Sequence, residues 1–348
     1  MKPAFGELLS LAPQDRRAIY AQTTTHWPTT SLFVEKDLWV CAALDALFND
    51  IAPDTKDLVF KGGTSLSKVY GLTKRFSEDI DLVIVREQLG FTGDDDPMNP
   101  EADLSRKARE RLVEALVEAA ADHIQAALLP RLTDIFEPYG AKVVIDPDPG
   151  QRGQTLLIQY ESAVDKGSDY VVPEVRLECG ARSATLPAHL GSLAPYLTDA
   201  VPDYDFTVER VQTIDAERTF LDKLLILHSR QCHYRDRGVV YRDANRESRH
   251  YYDVAMMADD PLAERALGNS ELRADVIRHS RLAFPSGWAK FDEAEAGNFQ
   301  IVPDDELRDA LRADYTRMAD MVLGDAPEFD WVMEKIVEIS GRFETRES

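Results

Sequence analysis

Asp79 and Asp81 stand one residue apart inside an apolar stretch, Asp79-Ile80-Asp81-Leu82-Val83-Ile84, and this alternation constrains the chain more than any other feature. In a strand, residues i and i+2 point to the same face. The two carboxylates therefore meet on one side of a sheet, while Ile80 and Leu82 face the core. Upstream, Phe60-Lys61-Gly62-Gly63-Thr64-Ser65-Leu66-Ser67-Lys68 sets a glycine pair between a strand-like and a helix-like segment. Glycine permits positive φ and close backbone approach, and N–H groups at such a turn can hold a phosphate. Two hard oxygen ligands on one face suit Mg²⁺ (or Mn²⁺), which also recruits substrate phosphate oxygens. The layout points to metal-assisted chemistry on a nucleoside triphosphate. It is not a P-loop, because the G-x-x-x-x-G-K-S/T order is missing, and it is not a dinucleotide fingerprint either.

At 348 residues the chain predicts two lobes. With no run of 18 apolar residues, no membrane span is expected, and Met1-Lys2-Pro3-Ala4-Phe5-Gly6-Glu7 lacks a signal-peptide core. Cys41, Cys179 and Cys232 are isolated and lack CxxC spacing, which fits a reducing cytoplasm. The formal charge of −22 argues against broad nucleic-acid binding. A local exception lies between Arg230 and His250, where Arg230, Arg235, Arg237, Arg242, Arg246 and Arg249 outnumber Asp236, Asp243 and Glu247. A small basic site on an acidic body can steer a polyanion locally; the alternative is a solvated face with ion pairs.

Residues 7–22 and 33–50 read as helices, 57–61 as a strand, 64–71 as a short helix and 79–85 as a strand. Residues 90–100 form an acidic loop, and a long amphipathic helix runs from about 103 to 130. Strands are expected at 141–146, 154–161, 170–179 and 205–213. From 216 the periodicity is helical, with breaks near 260, 268, 285 and 297–304. The fold class expected is α/β (α+β): a mixed sheet with flanking helices over 1–210, then a helical lobe over 211–348 that completes the active site.

Several residues beyond the aspartate pair are candidates. In Pro173-Glu174-Val175-Arg176-Leu177-Glu178, Glu174, Arg176 and Glu178 share a face, and Glu178 leads Glu174 as a third metal ligand. The alternative is an exposed charged face. Lys223 sits at the edge of the inner stripe of a helix containing Leu221, Leu224, Leu225 and His228; it could pair with a triphosphate, or be a surface lysine beside Glu217 or Asp222. In Arg249-His250-Tyr251-Tyr252-Asp253, Asp253 could accept a proton or orient Lys223.

Lys61-Gly62-Gly63-Thr64-Ser65-Leu66-Ser67-Lys68 with Arg75-Phe76-Ser77-Glu78-Asp79-Ile80-Asp81-Leu82 resembles the AbiEii/MenT-type nucleotidyltransferase toxins of the polymerase β-like superfamily. The likeness extends to Glu35-Lys36-Asp37, Phe220-Leu221-Asp222-Lys223-Leu224, Arg249-His250-Tyr251-Tyr252-Asp253, Val302-Pro303 and Asp314-Tyr315. It implies a site at Ser77, Asp79, Asp81, Lys223 and Asp253, and a toxin of a toxin–antitoxin or phage-defence system with a cognate antitoxin. The expected reaction is transfer of a nucleotide from an NTP to an RNA acceptor, with a tRNA 3′ end first. Rival readings are nucleotidylation of a protein or small molecule, or a non-catalytic nucleotide-binding module. On the leading reading Lys61, Gly62, Gly63, Thr64, Ser65 and Ser77 line the nucleotide, and Asp79, Asp81 and Glu178 hold the metal. Arg235, Arg237, Arg242, Arg246 and Arg249 then meet RNA, with Tyr234 and Tyr241 available for stacking. A phosphate on Ser77 would crowd the carboxylates.

Overall fold

A computed structural model describes residues 1–52, 57–77, 79–164, 172–240 and 246–344. The chain divides into two compact units, one of Met1–Gly71 with Phe76–Ile214, the other of Leu72–Arg75 with Asp215–Ser348.

The first unit opens with α1 (Pro3–Leu9), α2 (Pro13–Thr23) and α3 (Ser31–Asp45). The single helix expected at 7–22 is two, because Pro13 cannot continue a helix but suits its first turn. Thr30 caps α3 by accepting from the Phe33 N–H at 3.3 Å, and α3 runs on into a π-helical stretch, Ala46–Ile51. Its charged residues are buried and satisfied, as burial of charge requires. Glu35 accepts from the Ser162 hydroxyl at 2.5 Å and the Ala163 N–H at 2.7 Å. Asp37 accepts from the Tyr196 N–H at 2.7 Å and pairs with Lys68 at 2.7 Å. The Glu35-Lys36-Asp37 block thus holds the scaffold together.

Next come β1 (Leu58–Lys61), α4 (Gly62–Lys68) and β2 (Asp79–Ile84). The long helix expected at 103–130 is α5 (Arg106–His123), a π-helical turn (Ile124–Leu128) and α6 (Leu129–Phe136). The strands β3 (Lys142–Ile145), β4 (Thr155–Gln159), β5 (Glu174–Gly180), β6 (Ala188–Leu193) and β7 (Val208–Ile214) follow. They form a seven-stranded sheet in the order β3-β4-β5-β2-β1-β7-β6. The sheet is mixed: β2 runs parallel to β5 and β1 to β7, and the other neighbours are antiparallel. The central strands bury Phe60, Ile80, Leu82, Val83, Val175 and Leu177. β6 was not expected, because Gly191 and Ser192 break its apolar alternation.

The second unit is helical: α7 (Ala216–Arg237), α8 (Ser248–Met257), α9 (Pro261–Gly268), α10 (Ser270–Ala283), α11 (Phe291–Glu295), α12 (Asp305–Met318) and α13 (Phe329–Glu344). Gly238, with φ +63°, closes α7 in the left-handed conformation that ends many helices. Buried Asp314 anchors the start of α8, accepting from the Arg246 N–H at 2.9 Å, the Ser248 N–H at 2.8 Å and the Ser248 hydroxyl at 2.6 Å. No helix among the described residues is long and apolar enough to cross a membrane.

Candidate active site

The register of the first unit's sheet collects the charged side chains of β1, β2 and β5 on one face. Lys61 of β1 lies opposite Asp81 of β2, and Asp81 lies opposite Glu178 of β5, so the three form a row across neighbouring strands. Asp79, two residues before Asp81 and on the same face, lies opposite Arg176. Both aspartates are half-buried, whereas Ile80 and Leu82 are 0% and 1% exposed. The Lys61 ammonium stands 3.9 Å from Asp81 Oδ1. Arg176 is engaged by Asp146 and, at 4.0 Å, by Glu174. Burial and then the negative charge of Asp81 and Asp79 push the Glu178 carboxyl up, with Lys61 and Arg176 opposing.

Gly62 stands against this face at φ +80°, and a Cβ there would lie 2.0 Å from Asp81 Oδ2. Both the backbone conformation and the space require glycine. The Thr64 hydroxyl donates to the Asp79 carbonyl at 2.5 Å, and the Ser65 hydroxyl donates to the Gly62 carbonyl at 2.9 Å. Both residues are buried. The fold uses both hydroxyls as donors, which ties α4 to β2 and closes the turn. Gly63 and Ser77 are half-buried.

A divalent ion is implied by the chemistry of this face. Among the described residues no group of three His, Cys, Asp or Glu side chains is placed to hold one. Burial first, and then the neighbouring charges of Asp81 and Asp79, disfavour an ionised Glu178 on this face. The aspartate pair still fits Mg²⁺, which keeps several waters and takes one or two carboxylates together with substrate phosphates. The glycine against Asp81 keeps a side chain off that carboxylate.

The second unit holds a buried ionic cluster. Asp253 on α8, 0% exposed, accepts from Arg75 Nε at 2.7 Å and Nη2 at 2.8 Å, and from Lys223 of α7 at 2.7 Å. Burial alone would raise the Asp253 carboxyl, but Arg75 and Lys223 outweigh it and hold it far below the ordinary carboxylate range. Burial pulls the Lys223 ammonium down, opposed by Asp253 and reinforced by Arg75. The reading of Lys223 as a surface lysine is corrected, since it is 5% exposed. Asp253 is a poor proton acceptor for the same electrostatic reason, and its oxygens are taken by Arg75 and Lys223. His250 is held neutral by burial and by the charges of Lys223 and Arg249. Arg75, which the sequence offered only inside the family-like block, is the second cation on Asp253, a pairing that no local pattern signals.

The arginine-rich stretch is partly neutralised. Arg235 makes two bonds to Glu293, at 2.9 and 2.8 Å, and contacts Asp236, while Arg230 pairs with Glu247 at 2.8 Å. Arg237 is exposed, and the backbone of Arg246 is held by Asp314. Arg249 is half-buried, and Tyr234 bonds Glu306. Arg242 and Tyr241 lie outside the described residues. At Arg235 the structure shows the ion-paired face that the sequence left as the alternative, with Glu293 as the partner.

Residues 45–335 match the model of the family described as nucleotidyl transferase AbiEii toxin, type IV TA system. The chain belongs to this family, and it is a nucleotidyltransferase. Among solved structures it is similar to MenT4, a nucleotidyltransferase toxin from Mycobacterium tuberculosis H37Rv. That match has 16% identity and a TM-score of 0.38, over 94% of this chain and 98% of the other. No curated protein matches.

Proposed function

We propose that this member of the AbiEii family transfers a nucleoside monophosphate from an NTP to an RNA acceptor, with the 3′ end of tRNA as the target, and that it is the toxin neutralised by a cognate antitoxin. The observation that carries the reading is the Asp79–Asp81 pair on one sheet face, with the Gly62 backbone against Asp81.

Asp79 and Asp81 would hold Mg²⁺, which when bound supplies positive charge to the phosphates and to the attacking oxygen. The backbone of Lys61, Gly62 and Gly63 approaches the triphosphate without an intervening side chain at Gly62. Within the second unit Asp253 fixes the Lys223 ammonium and is gripped from its other edge by Arg75; by the family resemblance, that charge would serve the triphosphate. Groups fixed in advance lose nothing in reorganisation when charge develops on the α-phosphate. The acceptor hydroxyl attacks the α-phosphorus and pyrophosphate leaves. The family's description as a toxin of a type IV system supports the antitoxin partner.

The pairing of Arg230 and Arg235 with acids supports a second reading, in which the acceptor is a protein or a small molecule. The test is incubation with α-labelled NTPs, Mg²⁺ and a cell lysate, followed by nuclease or protease digestion and sequencing of RNA 3′ ends. Label lost to nuclease supports the RNA acceptor; label lost only to protease, or retained in small molecules, overturns it.

A further inference from the structure

The face that carries the aspartates has two cations of different standing. Arg176, opposite Asp79, is already engaged by Asp146 and Glu174. Lys61, opposite Asp81, stands 3.9 Å from Oδ1, an ion pair beyond hydrogen-bond reach. Their side chains are 31% and 26% exposed. A loose, half-exposed pair of this kind holds weakly. On the far side of Asp81 lies Glu178, so Lys61 closes a row of two carboxylates with the one positive charge that the register aims at Asp81. Its stem is long and flexible, and its backbone runs directly into the Gly62 turn.

We propose that Lys61 is the resident counter-ion of the Asp79–Asp81 face, neutralising Asp81 until a divalent ion arrives and then turning to the phosphate oxygens that come with it. This rests on the reading of that face as the metal-binding centre of a nucleotidyltransferase. A cation beside a carboxylate competes with a metal for it, and the same cation beside a triphosphate favours the nucleotide. Lys61 therefore lowers affinity for the bare ion and raises affinity for the nucleotide. The order of loading becomes a property of one side chain.

The experiment is a Mn²⁺ titration of the full chain without nucleotide, followed by the electron paramagnetic resonance of the free ion, on wild type, Lys61→Met, Lys61→Arg and Asp81→Asn. Methionine keeps length and removes charge. Lys61→Met is expected to bind Mn²⁺ about two- to fivefold more tightly than wild type, and Lys61→Arg to match wild type. ATP, GTP, CTP and UTP are then bound singly in Mg²⁺; the one that wild type binds best should weaken about fivefold or more in Lys61→Met. Mn²⁺ affinity that is unchanged or weaker in a Lys61→Met protein with wild-type circular dichroism overturns the counter-ion role. Unchanged nucleotide affinity overturns the hand-over to phosphate. Asp81→Asn separates the two ideas: if it binds Mn²⁺ like wild type, the metal centre itself is wrongly placed.

Discussion

A Cβ on Gly62 would sit 2.0 Å from Asp81 Oδ2, so the backbone of the glycine turn and the carboxylate of the neighbouring strand are in direct contact. Gly62→Ala must both adopt φ +80° and displace that carboxylate. The backbone term costs about 1–2 kcal/mol. Misplacing a reacting group by about 1 Å can cost about 10²-fold in rate. Nucleotide incorporation should therefore fall about a hundredfold, with only a modest drop in the urea midpoint. Activity within a factor of two of wild type would show that Asp81 can move without consequence.

Asp79→Asn and Asp81→Asn should each lower incorporation of labelled nucleotide by about 10²- to 10³-fold, the scale for losing one electrostatic contributor. Both side chains are half-buried beside a third carboxylate, so thermal stability should hold or rise. Activity and melting temperature measured on the same preparations check both halves.

Arg75→Met should destabilise the helical unit by about 3–5 kcal/mol, because it leaves a buried ion pair short of one partner. Arg75→Lys keeps the charge but loses the two-pronged grip on Asp253, and should recover only part of the loss. Asp253 also carries a pH signature. Its folded-state carboxyl lies below the unfolded value, so its stabilisation is complete above about pH 4 and is lost as pH falls through the folded value. Denaturant titrations of wild type and Arg75→Met between pH 3 and pH 7 should show a steeper acid loss in wild type.

His228 gives a second pH dependence. Nδ1 accepts from the Gln300 N–H at 2.9 Å, which can only donate, so the ring proton is on Nε2 and faces the Lys290 carbonyl at 3.1 Å. Protonating Nδ1 breaks the Gln300 bond. Burial lowers the ring's proton affinity, with Arg235 contributing and the Lys290 carbonyl and Glu293 opposing. The unfolded chain then binds the proton better, so stability is complete above about pH 6.5 and is lost below it, by at most about 1.4 kcal/mol per pH unit. Melting temperatures at pH 7.5 and 5.5 should converge in His228→Gln relative to wild type.

Residues with periodic neighbours were legible in the sequence. The Asp79–Asp81 alternation placed both carboxylates on one face because a strand has period two, and the breaks near 260 and 268 fell where α8, α9 and α10 end and begin. β6 was hidden because glycine and serine carry no apolar signal. The break between α1 and α2 was hidden only until Pro13 was given its helix-starting role. The carbonyl partners of Thr64 and Ser65 were hidden because a hydroxyl beside glycine looks the same whether it turns to a ligand or to a carbonyl.

Local pattern was enough to determine the strand–turn–helix order around the glycines, the shared face of the two aspartates and the family to which they point. Pairing across long separations was decided only in three dimensions. Arg75 and Asp253 are 178 positions apart and form a two-pronged contact at 2.7 and 2.8 Å. Asp81 meets Lys61 and Glu178 only through strand register. A sequence fixes which residues carry charge and where a side chain points along its own element; which charge it meets depends on packing between elements, and that packing set Lys223 and Asp253 as a buried pair.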